Sequence, residues 1–298
     1  MFSFKILKTQ LCFVYLLVSV SIAATFGQKS NSGENWIPLF NKKDLNNWHI
    51  QITGHSPNEN YNNTFVIDSG ILKVKYDKYS EFGNSFGHIY YKSPFSYYKL
   101  IAEYRFVGSQ MKGGAVWNVR NSGIMIHSQP PETLTKDQMF PVSLEVQLLG
   151  GLSDGKSRTT GNLCTPGTMI EMNNKLNEEH CINSNSNTYD GDQWVKIEIH
   201  VYGDSLIQHI VDNTVVLEYS RPRVGETGPY KNYFLSEWGK QNEGMALKEG
   251  YIALQAESHP VEFRKVELLN LKGCMNPRCK NYKPYFVKDA DCECKKRP

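Results

Sequence analysis

Glu145, Gln147, His127, Gln255 and Glu257 are the residues of this sequence whose types and spacing could do chemistry together. Carboxylates and imidazole are general acid and base groups, and primary amides both donate to and accept from hydroxyls. Two glutamates beside two glutamines suit a sugar. One carboxyl can take a proton, the other can give one, and the amides orient ring hydroxyls. The separation of such a carboxyl pair sets the stereochemical outcome of ordinary glycosidic cleavage, and sequence does not supply it.

A strand sends successive side chains to opposite faces. In FPVSLEVQLLGG (140–151), Leu144, Val146 and Leu148 therefore share one face, and Glu145 and Gln147 share the other with Leu149. In IALQAES (252–258), Ile252, Leu254 and Ala256 oppose Ala253, Gln255 and Glu257. In SGIMIHSQ (122–129), the same alternation places His127 with Met125 and Gly123. Any one of these glutamates could simply be solvated on an exposed strand face, and His127 could be a hydrogen-bonded structural histidine. The recurrence of a Gln/Glu pair on two apolar strands is what argues for a groove. Trp117 (in GGAVWN) and Trp238 (in SEWGK) could stack on a sugar ring or pack in core or loop, while Trp194 opens a strand and is expected in the core.

The elements that must position these residues read as strand after strand. TFVID and ILKVK flank Ser69-Gly70, a hairpin turn; YYKLIAEYRFV alternates cleanly; QWVKIEIHVY, LIQHIV and VVLEYS form a meander with Asp212-Asn213 at one turn. VEFRKVELLNL closes the body after Pro260. KDQMF (136–140) and NNKLNEEH (173–180) are each expected to hold a short helical turn. Many short strands with Gly, Asn and Asp turns predict an all-β fold, a two-sheet jelly-roll sandwich. No internal period suggests a propeller or solenoid.

At 298 residues, 40% hydrophobic and 12% aromatic, the chain can bury a large core. A net charge of +3 implies no nucleic-acid partner. Lys5 and Lys8 precede the apolar run LCFVYLLVSVSIAA, with small residues at Ser21, Ala23 and Ala24. That is the pattern of a secretory signal, assigned to residues 1–26. The run is short for a membrane span, which needs about 20 residues, so no span is expected in the mature form. The protein is then exported, either periplasmic or secreted.

Export permits disulfides. Beyond Cys12 there are six cysteines: Cys164, Cys181, Cys274, Cys279, Cys292 and Cys294. An even count suggests three bridges, with Cys164 and Cys181, in one loop-rich stretch, expected to pair. Zinc competes for the last four, but their spacing lacks the C-x2-C knuckles of common zinc sites. Residues 34–272 form the jelly-roll domain of this reading and 273–298 a Cys-rich C-terminal module. His49, His55, His88, His180, His200 and His209 show no metal-binding spacing, and no P-loop, G-x-G-x-x-G or G-x-S-x-G element occurs.

Several stretches in order, NSGIMIHSQPPETLTKDQMFPVSLEVQLLGG, RTTGNLCTPGT, GDQWVKIEIHVYGDSLIQHIVDNTVVLEYS and GYIALQAESHPVEFRKVELLNL, resemble the domain of unknown function 1080 family, the 3-keto-disaccharide hydrolase domain. The opening IPLFNKKDLNNWHI is similar to that family's L-F-N-G-K-D-L-x-x-W start, with Lys42 where the family has Gly. The resemblance spans roughly residues 36–271. It implies a concanavalin-like jelly roll acting on glycosides oxidised to a ketone at the third sugar carbon. By position it carries functional roles to Glu145, Gln147, His127, Gln255 and Glu257, and adds Arg264 in F-R-x-V. Glu145 would then be the base, with His127 or Glu257 the acid. Gln147, Gln255 and Arg264 would hold hydroxyls or developing charge, Arg264 having an ion-pair role as its alternative. No cofactor is identified; a divalent cation could assist enolate formation, but no ligand set for it is visible. The C-terminal stretch resembles short Cys modules appended to exported bacterial proteins, with Asn276 for the usual Asp and a structural or attachment role implied. A lectin-like binding module and an ordinary glycosidase using the Glu pair are the competing functions.

Overall fold

The computed structural model describes residues 33–294 apart from residue 232. The expected signal segment and Cys12 lie outside the described residues. Two large antiparallel sheets face each other. The first runs, in spatial order, Cys181–Ile182, Asn162–Cys164, Leu144–Leu149, Asn121–Ser128, Tyr251–Ala256, Gly87–Tyr91 and Trp48–Ile52. The second runs Lys175–Asn177, Thr168–Met172, Thr214–Val224, Leu206–Val211, Val195–Tyr202, Tyr97–Phe106, Val261–Asn270, Ile71–Val74 and Phe65–Asp68, with Trp36–Pro38 against the far half of Val261–Asn270. This is the jelly-roll sandwich expected from the alternation.

The main core is built from the faces that the period of two predicts. Leu144, Val146, Leu148, Ile252, Leu254 and Ala256 from the first sheet meet Tyr98, Leu100, Ala102, Ile197 and Ile199 from the second, all at most 1% exposed. Each large aliphatic side chain so buried contributes about 1.5–3 kcal/mol from the area removed from water. A separate small cluster, Tyr90, Met125 and Ala253, sits on the opposite face of the first sheet, with Leu134 packed against it. That face is therefore roofed in part by the segment that follows the strand Asn121–Ser128.

The turns follow the same logic. Ser69 and Gly70 have φ of 53° and 75°, and Asp212 and Asn213 have φ of 50° and 61°. Both are left-handed pairs whose twist suits a two-residue hairpin. Lys42 also lies at φ 62°, which accounts for a glycine at the matching place of the family pattern.

Three local expectations change. Residues 173–180 form no helix; Lys175–Asn177 is a strand antiparallel to Thr168–Met172, turned through Asn173 and Asn174 at φ 52° and 61°. Asparagine tolerates that conformation, and the hairpin wins over a short polar helix with no apolar stripe. Residues 136–140 also carry no helix, and the described α-helix is Glu237–Gln241, capped by Ser236 accepting from Gly239 N. Trp194 is not in the core. It lies on the outer face of the second sheet, held between Arg105 and Arg264, each 4.6 Å from its ring.

Cys164 pairs with Cys181, Cys274 with Cys292 and Cys279 with Cys294. The C-terminal segment returns to the body: Val287 N donates to Leu271 O at 2.9 Å, and Phe286 lies against Gly273, which has no room for a Cβ.

Candidate active site

Glu145 and Gln147 face a cleft of about 870 Å³ on the exposed side of the first sheet. Glu257, Asn121 and Arg158 also line it, and the Cys164–Cys181 pair forms part of one wall. The register explains the convergence. Glu145 stands opposite Met125 on one side and Cys164 on the other, while Gln147 stands opposite Gly123 and Asn162. Gly123 matters because a Cβ there would come within 2.7 Å of Glu145 Oε1. The carboxylate lies across the space that a larger residue would fill, toward the strand Tyr251–Ala256 that Glu257 follows. Beyond that strand, Ser258 adopts φ 72°, and its N donates to the buried Tyr76 hydroxyl at 2.8 Å. Regular pairing ends at Ala256, just ahead of this kink.

The supports around the carboxyl pair are fixed. Asn162 Nδ2 donates to Gln147 Oε1 at 3.1 Å, so the glutamine amide is left with its N–H groups for the cleft. Asn162 is itself held by Thr159 Oγ1 and Ser184 N. The Arg158 guanidinium donates to the carbonyls of Val119, Arg120 and Gly150, which hold its charge near Glu257. Burial pushes the Glu145 carboxyl above the usual carboxylate range. Burial and the Glu145 charge push Glu257 well above it, against the pull of Arg158. Two buried carboxyls that repel one another each hold a proton more tightly than an exposed carboxyl does.

The walls are apolar and aromatic. Phe86, Trp117, Phe140, Phe234 and Tyr233 line the cleft; Trp117 stacks parallel to Phe86 at 6.1 Å between centroids and is 55% exposed at the mouth. Tyr233, on the same lining, is 73% exposed. Apolar walls with few convergent polar groups are the usual make-up of a small-molecule site.

The structure separates the remaining sequence candidates from this cleft. His127 does not continue the face of Gly123 and Met125, because its φ of 47° breaks the alternation. Its Nε2 lies 3.0 Å from Gly203 O in a turn of the second sheet, and Gly250 packs on its main chain. His127 is a buried inter-sheet tie, and burial lowers its pKa to about 4. Arg264 lies in the second sheet, about half exposed, paired with Glu103 and stacked on Trp194. Trp238 packs on the cluster of Val142, Val224, Leu235 and Leu247. Gln255 shares the face of Glu257 but is fully buried behind the cleft lining. Sequence reasoning named Trp117 but missed Arg158, Asn162, Asn121 and the rest of the aromatic wall; Arg158 lies in a loop and Asn162 in a three-residue strand, neither of which carries a periodic signal. Among the described residues, Glu145 and Glu257 gather no third carboxylate, imidazole or thiolate within ligand range; the one such cluster is Cys274, Cys279 and Cys292, whose sulfurs are in disulfides.

The sequence model of the 3-keto-alpha-glucoside-1,2-lyase-like domain matches residues 35–269. The chain belongs to this family. Among solved structures the lyase-like chain is similar to a presumed glycosyl hydrolase from Parabacteroides distasonis, at 17% identity over 80% of this chain and 100% of that one, with a TM-score of 0.47. It is also similar to LamAcat from Zobellia galactanivorans, at 12% identity over 80% and 98%, TM-score 0.46, and to the β-glucanase of Bacillus licheniformis, at 12% over 81% and 100%, TM-score 0.43. No curated protein matches the chain.

Two predictions follow from the electrostatics of the lyase-like domain. Arg264→Ala leaves turnover unchanged and costs at most about 1 kcal/mol of stability, as an exposed ion pair does; a loss of turnover with native folding would put Arg264 back in the site. The second concerns stability against pH. Raised folded pKa values at Glu145 and Glu257 mean that the native state holds extra protons. Their contribution is present below the ordinary value of 4.5 and is lost as pH rises toward the folded values. Buried His88, His127, His209 and His259, depressed to about 3 or 4, act oppositely and lose stability as pH falls below 6.5. Stability is therefore greatest near the histidine value and declines above it. Glu145→Gln flattens that decline, which urea melts across the range would show.

Proposed function

We propose that the protein cleaves the glycosidic bond of 3-keto-glycosides by elimination followed by hydration. The observation that carries this reading is the buried Glu145–Glu257 pair on the floor of an aromatic-walled cleft, in a chain of the lyase-like family. A ketone at the third sugar carbon acidifies the hydrogen on the second. Glu145, whose carboxylate lies over Gly123 and lines the cleft, takes that proton. The C–H electron pair forms the enolate, which then expels the oxygen on the anomeric carbon as the C–O bond breaks. Glu257, kept protonated by its surroundings, gives its proton to the leaving oxygen. Water then adds across the new double bond and returns a free keto-sugar. The Gln147 amide and the Arg158 guanidinium line the same cleft and would stabilise the negative charge that develops on the ketone oxygen, the kind of fixed dipole that lowers a barrier most.

Three described disulfides support an exported protein in an oxidising compartment, periplasmic or secreted. The exposed Trp117 and Tyr233 favour a second reading, a lectin-like module that binds glycans without turnover. A paired assay decides between them: purified protein is given a 3-keto-glucoside and the same glucoside unoxidised, and aglycone release is followed. Cleavage of the keto form alone supports elimination. Cleavage of both makes the protein an ordinary glycosidase, and binding without cleavage makes it a lectin.

A further inference from the structure

The polar character of the first sheet does not stop at Glu145 and Gln147. The register sets Gln51 opposite His88, and His88 opposite Gln255. Gln255 follows Leu254, which stands opposite Ile124, so its neighbour in the next strand is Gly123, the residue over which the Glu145 carboxylate lies. Gln51, His88 and Gln255 thus extend the line of Gln147 and Gly123 across three more strands. They are 5%, 3% and 0% exposed.

These side chains are buried without partners. Gln51 Nε2, His88 Nε2 and both amide atoms of Gln255 make no hydrogen bond to the protein. Each buried polar group left so has lost its hydration without a compensating hydrogen bond, a loss that an apolar side chain of the same shape does not incur. Three in one line, on the face that holds the carboxyl pair, are poorly explained by packing. No member is charged: burial holds His88 neutral, with a pKa near 3. Phe140 stands between this line and the open cleft, lining the cleft while its ring lies 6.5 Å from that of His88. Its segment is tied down by Gln138, which donates to Gln129 Oε1 and to Phe140 O, both at 2.9 Å.

We propose that Gln51, His88 and Gln255 form an inner hydroxyl-recognition row that continues the cleft beneath Phe140 and selects uncharged sugars. The proposal rests on the carbohydrate reading above and names the substrate class within it. Hydroxyls of the bound sugar would take the unpaired amide and imidazole atoms, while its scissile end faces Glu145. A row of neutral groups offers a sugar carboxylate no counter-charge in a desolvated place, so uronic acids are excluded. Rotation of the Phe140 side chain, with its main chain held by Gln138, would admit the ring. Gln51, His88 and Gln255 bind substrate hydroxyls here, and none of them exchanges a proton with the reacting atoms.

The test uses Gln51→Leu and His88→Leu in the mature protein. Urea melts and the kinetics of 3-keto-glucoside cleavage are measured on each. The row predicts stability equal to or above wild type, KM raised about 10-fold or more for each lost contact of 1.4 kcal/mol, and kcat changed far less. Unchanged KM overturns the proposal, as does lost stability with KM intact, since the row would then serve the fold. The corresponding 3-keto-glucuronide should not be cleaved by wild type; cleavage at a similar rate also overturns it. If wild type cleaves no keto-glucoside, the elimination reading falls separately. The row is then judged by thermal shift with glucose and glucuronate. A shift with glucose alone that both variants lose supports it, and any other pattern overturns it.

Discussion

Glu145→Gln lowers the rate of keto-glycoside cleavage by about 10²–10⁴-fold, the span that a positioned general base contributes. Glutamine keeps the shape that lies over Gly123 and removes only the ability to take a proton. KM therefore stays near wild type while kcat falls, which marks an interaction made in the transition state. The pH profile carries a second signature. A base works only when ionised, so the rising limb of kcat/KM follows the free-enzyme Glu145 carboxyl, which burial moves from 4.5 up to about 8. The limb should lie well above ordinary carboxylate titration and vanish in Glu145→Gln. Glu257→Gln should cost most with poor leaving groups, whose oxygen needs the proton, and little with an acidic phenol. Initial rates on aryl and alkyl keto-glucosides across pH give all of these. Near-full activity in Glu145→Gln would remove the base from the mechanism.

Replacing Cys164 and Cys181 together by Ala costs about 2–4 kcal/mol of folding stability, as expected for closing a short loop. The bridge spans 17 residues and joins Asn162–Cys164 to Cys181–Ile182, strands of three and two residues at the edge of the first sheet. Strands so short gain little from pairing alone. The same edge forms part of the cleft wall and supplies Asn162, which orients Gln147. Loosening it should lower activity at temperatures where the fold is still intact. Alanine at Cys274 and Cys292 should leave activity unchanged, because that bridge lies in the C-terminal segment among residues that do not line the cleft. Denaturation midpoints and low-temperature rates for the two variants separate these effects. Equal stability of the Cys164/Cys181 variant and wild type would show that edge pairing suffices.

Period-two alternation by itself determined the strands, the faces of Glu145, Gln147, Gln255 and Glu257, and the two-sheet class, because which side of a strand faces oil is a local property. The same signal was present in WHIQI and GHIYY, where Gln51 and His88 interrupt apolar strands on one face. Disulfide partnership of Cys164 and Cys181 was legible from their proximity in one loop-rich stretch. Tertiary structure alone decided the rest. His127 left its expected face through a positive φ that no alternation encodes, and Gly203 in the opposite sheet claimed its ring. Arg264 sits at a strand position that the family pattern marks, yet its sheet faces away from the cleft and pairs it with Glu103. Arg158 reaches Glu257 only because three main-chain carbonyls distant in sequence converge on its guanidinium. Raised carboxyl pKa values depend on burial and mutual charge, which are properties of the assembled sheets rather than of neighbouring residues along the chain.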